Sequence, residues 1–79
     1  MDIPISFGKV IRRLRLEKGL SQEQLGFDSD LRRTYISIIE LGQQQPSLTT
    51  IIKLANALQI SASSLIALLE QQLLLDKDQ

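Results

Sequence analysis

The chain has no cysteine and no histidine among its 79 residues. Together these absences exclude disulfide staples, zinc ribbons, thiol nucleophiles and imidazole chemistry. Tryptophan is also missing, and Phe7, Phe27 and Tyr35 are the only aromatics, so a core must be built from aliphatic side chains. No apolar run reaches the roughly 20 residues of a membrane span, and the N-terminus does not resemble a signal peptide. A cytoplasmic protein without membrane contact is the expectation. An excess of either charge is lacking too: nine Lys and Arg balance nine Asp and Glu. Neutrality counts against nucleic-acid binding, whose usual footprint is a basic domain. No spacing of carboxylates, serines or lysines sets up an activated nucleophile or a metal site. An enzyme is therefore not expected, nor a metal, a cofactor or a small-molecule ligand.

The charge is nonetheless unevenly spread. Residues 9–33 hold seven cations against four anions, a balance of +3, whereas residues 34–79 balance to −2. A cationic first half meets a mildly anionic second half.

What the chain does have is helical periodicity over one domain spanning 1–79. Phe7, Val10, Ile11 and Leu14 recur at helical spacing before Gly19, a suitable C-terminal stop. Ser21 with Gln24 makes a capping box for a short second segment. A third segment lies within "DLRRTYISIIELG", residues 30–42. Ser47 caps a fourth, with Leu48, Ile51, Leu54, Ala55 and Leu58 along one face. The last begins at Ser61 or Ser63 and runs to about Leu75, and the tail from Asp76 to Gln79 is expected to fray. An all-α, compact five-helix bundle is predicted. Its short second and third helices, joined by a tight turn, depend on the others for stability.

The third segment carries an anomaly. Arg32 and Arg33 stand where its first turn begins, yet a helix N-terminus is partially positive and favours caps and acids. On a helical wheel Ile36 and Ile39 face the core with Tyr35 beside them. Arg33, Thr34, Ser37, Ile38 and Leu41 occupy the opposite arc. These groups suit base edges in a major groove: guanidinium for guanine, hydroxyls for several bases, methyls for thymine. An ordinary solvated face would look the same on geometry alone.

Residues 20–58 resemble the Cro/repressor-like, XRE-type helix-turn-helix family, and the resemblance extends from about Phe7 to Leu69. It rests on Ser21-Gln22, Leu25, the run Thr34-Tyr35-Ile36-Ser37, Glu40 followed by Gly42, Pro46-Ser47-Leu48, and Leu54-Ala55 with Leu58. Such a resemblance implies a helix-turn-helix in helices 2 and 3, with the third helix in the major groove of double-stranded DNA. It implies base contacts from Arg33, Thr34 and Ser37, to which the wheel adds Ile38. It implies phosphate contacts from Gln22, Tyr35, Gln43 and Gln44, with Arg32 at the cap position a further one. Arg15 and Glu40 match a structural ion pair tying the first helix to the third.

The departures are specific. Gly26 stands where the family prefers Ala, Asp30 where a left-handed Gly is usual, and Arg32 at a position commonly Ser or Thr. Gln43-Gln44-Gln45 replaces a basic loop, which implies a shallow salt dependence. The last helix is leucine-rich over more than one stripe, so the C-terminal helix 61–75 is expected to dimerise through Leu65, Leu69 and Leu73. A homodimeric transcriptional regulator on a palindromic operator is the leading expectation. Length and layout are similar to the controllers of restriction-modification systems. The alternative is a protein-interaction module of the same fold, such as an antitoxin or a bridging factor.

Overall fold

The computed structural model describes residues 1–77. Among them are five helices and no strand: α1 (Ile3–Glu17), α2 (Gln22–Ser29), α3 (Arg33–Glu40), α4 (Leu48–Ala57) and α5 (Ala62–Asp76). The all-α bundle is as expected. α1 packs on α3 and α5, α2 on α3 and α4, and α4 on α5.

Local chemistry sets the boundaries. The carboxylate of Asp2 accepts the Ile5 N–H (3.0 Å), and Pro4 falls in the first turn of α1. Ser21 and Gln24 form the full reciprocal capping box of α2. Ser47 and Ser61 cap α4 and α5 by accepting from Thr50 N–H and Ser64 N–H. Four helices end alike: Gly19, Asp30, Gly42 and Gln59 adopt left-handed conformations. The next residue's N–H then bonds back five positions, as in Leu31 to the Gly26 carbonyl at 2.8 Å.

The sequence-based starting point for the first helix, Phe7, is too late. Asp2 and Pro4 start it one turn earlier, where Ile3 already packs against the core. The expected fraying does not begin at Asp76 either. That carboxylate accepts from the Ser6 hydroxyl (2.6 Å) and Lys9 (3.0 Å), fixing the end of α5 to α1. The Ser6 bond, then Lys9, holds the Asp76 carboxyl below its ordinary range. Asp78 and Gln79, the rest of that tail, lie outside the described residues.

The core is aliphatic apart from Phe7. It comprises Val10 and Ile11 of α1, Leu25, Ile36, Ile39, Leu54, Ala55, Leu58, Leu65 and Leu69. This corrects the expected dimer residues. Leu65 is 0% exposed and Leu69 8%, and Leu73 packs partly buried against the same cluster. Leu65 and Leu69 are thus spent in the monomer's own core, whereas Leu73, at its edge, keeps part of its surface exposed. α5 is apolar around most of its circumference, so periodicity alone did not select its inward stripe. Ile66, Leu74 and Leu75 are the large apolar residues of α5 left exposed, with Leu48 and Ile52 exposed on α4.

No single described helix is long and apolar enough to cross a membrane. α4 and α5 together carry enough apolar length, but they are bent by 103° at their junction and contribute Leu54, Ala55, Leu65 and Leu69 to the core.

α1 and α3 approach backbone to backbone at Gly8. A Cβ there would collide with the Ile39 carbonyl and lie 2.6 Å from the Glu40 carbonyl oxygen. Gly8→Ala should therefore push the two helices apart. Thermal or urea unfolding should show a loss of about 1–3 kcal/mol, the usual cost of overpacking; unchanged stability would mean that this approach is not tight.

Candidate nucleic-acid interface

The α2–α3 unit is built around a turn that tolerates almost no added volume. A Cβ on Gly26 would sit 2.7 Å from the Leu31 carbonyl oxygen, so the helix-interior glycine answers a steric need. The roughly 1 kcal/mol propensity cost relative to Ala is the lesser penalty here. Asp30 takes the left-handed position with φ 58° and ψ 41°. Asp is among the few non-glycine residues that visit this region readily. Its carboxylate lies 3.6 Å from the Lys53 ammonium, linking the turn loosely to α4.

The orientation of α3 is fixed by a charged cluster. Arg15 donates from Nε to Glu40 Oε2 (2.6 Å) and from Nη2 to Oε1 (3.0 Å). Its Nη1 donates to the Leu20 carbonyl (2.8 Å), and Gln22 Nε2 donates to Glu40 Oε1 (3.1 Å). The two charged side chains are only 10% and 3% exposed. The Glu40 hydrogen bonds hold the Arg15 guanidinium above its ordinary pKa although burial works against the charge. One cluster thus joins α1, the α1–α2 turn, α2 and the end of α3.

With Ile36 and Ile39 buried, α3 presents its remaining residues outward. Arg32, Arg33 and Thr34 are exposed, and Tyr35, Ser37 and Ile38 are half-buried. Ile38 is therefore less free than the wheel suggested. Leu41, 63% exposed, is the more prominent aliphatic group at this end. Arg32 occupies the N-cap position and makes no side-chain cap bond. Neither Arg32 nor Arg33 forms an ion pair among the described residues. The flanking loop exposes Gln43, Gln44 and Gln45, followed by exposed Ser47. Gln22 is half-buried, with one amide proton directed to Glu40 and one left over.

Two unpaired guanidinium groups, a line of hydroxyls and neutral amides thus border one ridge, held by a rigid cluster behind it. The family model for helix-turn-helix proteins matches residues 11–65. The chain belongs to the helix-turn-helix family. Control protein C.BamHI of Bacillus amyloliquefaciens is 44% identical over 66 residues, spanning 82% of this chain and 82% of that protein. The solved restriction-modification controller protein C.AhdI of Aeromonas hydrophila is 48% identical with a TM-score of 0.76. That match covers 78% of this chain and 94% of the controller. C.Esp1396I, solved as a tetramer in complex with its natural 35 base-pair operator, is 31% identical with a TM-score of 0.86. There the coverage is 94% of this chain and 97% of the other.

In this helix-turn-helix protein the residues singled out from the sequence gather around α3 and its flanks, apart from the three leucines of α5. Sequence reasoning missed Thr50. It is 5% exposed, and its hydroxyl lies 3.2 Å from the Tyr35 hydroxyl and 3.1 Å from that of Ser47. The available signal was a hydroxyl residue three positions after a serine cap.

Removing one member of the buried ion pair strands the other. Arg15→Met should cost about 3–5 kcal/mol in denaturant unfolding. The double variant Arg15→Met, Glu40→Met should recover much of that loss. Equal losses in the single and double variants would show that packing, not the stranded charge, sets the cost.

Proposed function

We infer that this helix-turn-helix protein is a sequence-specific DNA-binding transcriptional regulator. On this reading it acts in the cytoplasm as a homodimer on a palindromic operator and works by binding, not catalysis. The observation that carries the reading is the ridge of α3: two unpaired guanidinium groups and exposed hydroxyl groups on a helix whose back is locked by Glu40 and Arg15. The likeness to restriction-modification controllers, one of them solved on its operator, supports the subtype.

Arg33, Thr34, Ser37 and Ile38 are assigned to base edges, with Arg33 reading guanine. Gln22, Arg32, Tyr35, Gln43 and Gln44 are assigned to the phosphate backbone. Gln22 suits this role because Glu40 fixes its amide group and leaves one N–H free. The arginines at the α3 N-terminus disfavour the isolated helix by about 0.3–1 kcal/mol each. Facing a polyanion, they and the helix dipole act on the same partner. The neutral glutamine loop neutralises few phosphates, so affinity rests on two-fold pairing and base contacts more than on charge.

For the dimer, Ile66 and Leu74, exposed and about 80° apart around α5, replace the buried Leu65 and Leu69 first expected, with Leu73 beside them. Two copies joined there would present two recognition helices, and a two-fold operator follows if they lie about 34 Å apart.

Selection from a pool of random duplexes tests the reading. The wild type should enrich a palindromic sequence, and Arg33→Ala should lose about 1–3 kcal/mol of discrimination at one symmetric base position. No enrichment at any salt concentration would leave the interaction-module alternative in place. A uniform loss across sequences would make Arg33 a phosphate contact.

Leu74→Asp should yield a folded monomer in sedimentation, while the core residue Leu65→Asp should unfold the chain. A dimer that survives Leu74→Asp would place the interface elsewhere.

A further inference from the structure

Three hydroxyl groups run in a line from the recognition helix into the head of α4, and their protons can be counted. The Thr50 N–H donates to Ser47 Oγ at 3.1 Å, which is the cap of α4. The Ser47 hydroxyl donates its one proton to Thr50 Oγ1 at 3.1 Å. Thr50 Oγ1 lies 3.2 Å from the Tyr35 hydroxyl, a contact in which either oxygen can donate.

Burial decides the direction. Thr50 is 5% exposed, so its hydroxyl proton has little access to water and needs an acceptor within the protein. The Tyr35 oxygen is the remaining hydroxyl partner. Were Tyr35 the donor, Thr50 would receive two protons and its own would be left buried without an acceptor, the costly arrangement. Hence Thr50 donates to Tyr35. The Tyr35 proton is then left for a group outside the protein, and Tyr35 is only half-buried. Hydrogen bonds running in one direction also polarise one another, making the last hydroxyl a better donor.

We propose that Thr50 is a positioning residue for DNA binding: through Ser47–Thr50–Tyr35 it turns the Tyr35 hydroxyl into a committed donor to a backbone phosphodiester oxygen. The proposal rests on the reading that α3 docks on DNA, and it adds to that reading a residue that touches no DNA itself. A phosphate oxygen carries no proton and can only accept. A tyrosine hydroxyl that donated inward would offer it only lone pairs, whereas the directed chain offers it a hydrogen. The same count makes the α4 cap part of the interface. Ser47 holds the helix and begins the chain.

Affinity for the selected duplex, measured on wild type and variants at fixed salt, tests the proposal. Tyr35→Phe should weaken binding about 10-fold, the scale of a hydrogen bond to a charged acceptor. Thr50→Val, equal in shape but without the hydroxyl, should weaken binding in the wild-type background. It should change little in the Tyr35→Phe background, because both act through one proton. Thr50→Ser, which keeps the hydroxyl, should bind as wild type does. Where valine packs too poorly to fold, Thr50→Ala gives the same comparison.

Replacing the phosphates one at a time by methylphosphonates adds a readout that a purely structural role would not move. One position should weaken wild-type binding and leave Tyr35→Phe unaffected. Equal effects of Thr50→Val in both backgrounds would overturn the proposal, as would weak binding by Thr50→Ser. Wild-type affinity in Tyr35→Phe would overturn it too, while leaving the DNA-binding reading intact. A wild type that selects no duplex would defeat that reading and the proposal with it.

Discussion

The bidentate pair between Arg15 and Glu40 is the constraint on which the other features depend. It is nearly removed from water, and every hydrogen-bonding edge that the pair presents inward meets a partner: the Leu20 carbonyl on one side, the Gln22 amide on the other. Buried pairs of this kind contribute little net stability when compared with apolar replacements, but they penalise misplacement heavily. Here the penalty is directional. Glu40 ends α3, Arg15 lies in the last turn of α1, and the α1–α2 turn supplies a carbonyl. A rotation of α3 about its own axis would break the pair and withdraw Ile36 and Ile39 from the core. The core holds α3 down, and the pair sets which face points outward.

That division explains how so short a helix can serve as a reading head. The eight residues of α3 could not persist alone in water, and their first turn carries the wrong charge for its dipole. Ile36 and Ile39 supply the apolar anchor, and Leu31 packs against the same core just before the uncapped N-terminus. Gly8 and Gly26 remove the side chains that would hold α1 and the α2–α3 turn away from it. The unfavourable arginines are left solvent-exposed and unpaired, which suits a partner that supplies the negative charge.

Much of this was legible in the sequence because each signal had a local physical cause. Ser21 with Gln24 announced a reciprocal cap, Gly19 and Gly42 announced left-handed stops, and Asp30 stood where the turn needs one. Arg15 and Glu40 were paired through the family resemblance, since their separation of 25 residues gives no local cue. The start of α1 was misread because the repeat was taken from Phe7, although Ile3, one turn before it, lies on the same face behind the Asp2 cap. The inward stripe of α5 was misread for a different reason. When leucine surrounds a helix, periodicity gives no phase, and only packing against α1 and α4 separates Leu65 and Leu69 from Leu74 and Leu75. The hydroxyl line through Thr50 escaped because it joins residues 15 positions apart through side chains alone.

On the proposed reading, two copies place their third helices in successive major grooves on one side of a duplex. Hydroxyl-radical footprinting on the selected duplex measures this most directly. Two protected patches of equal strength, related by a two-fold axis and centred about 10–10.5 base pairs apart, are predicted. A single unsymmetrical patch, or protection spread evenly along the duplex, would contradict the account.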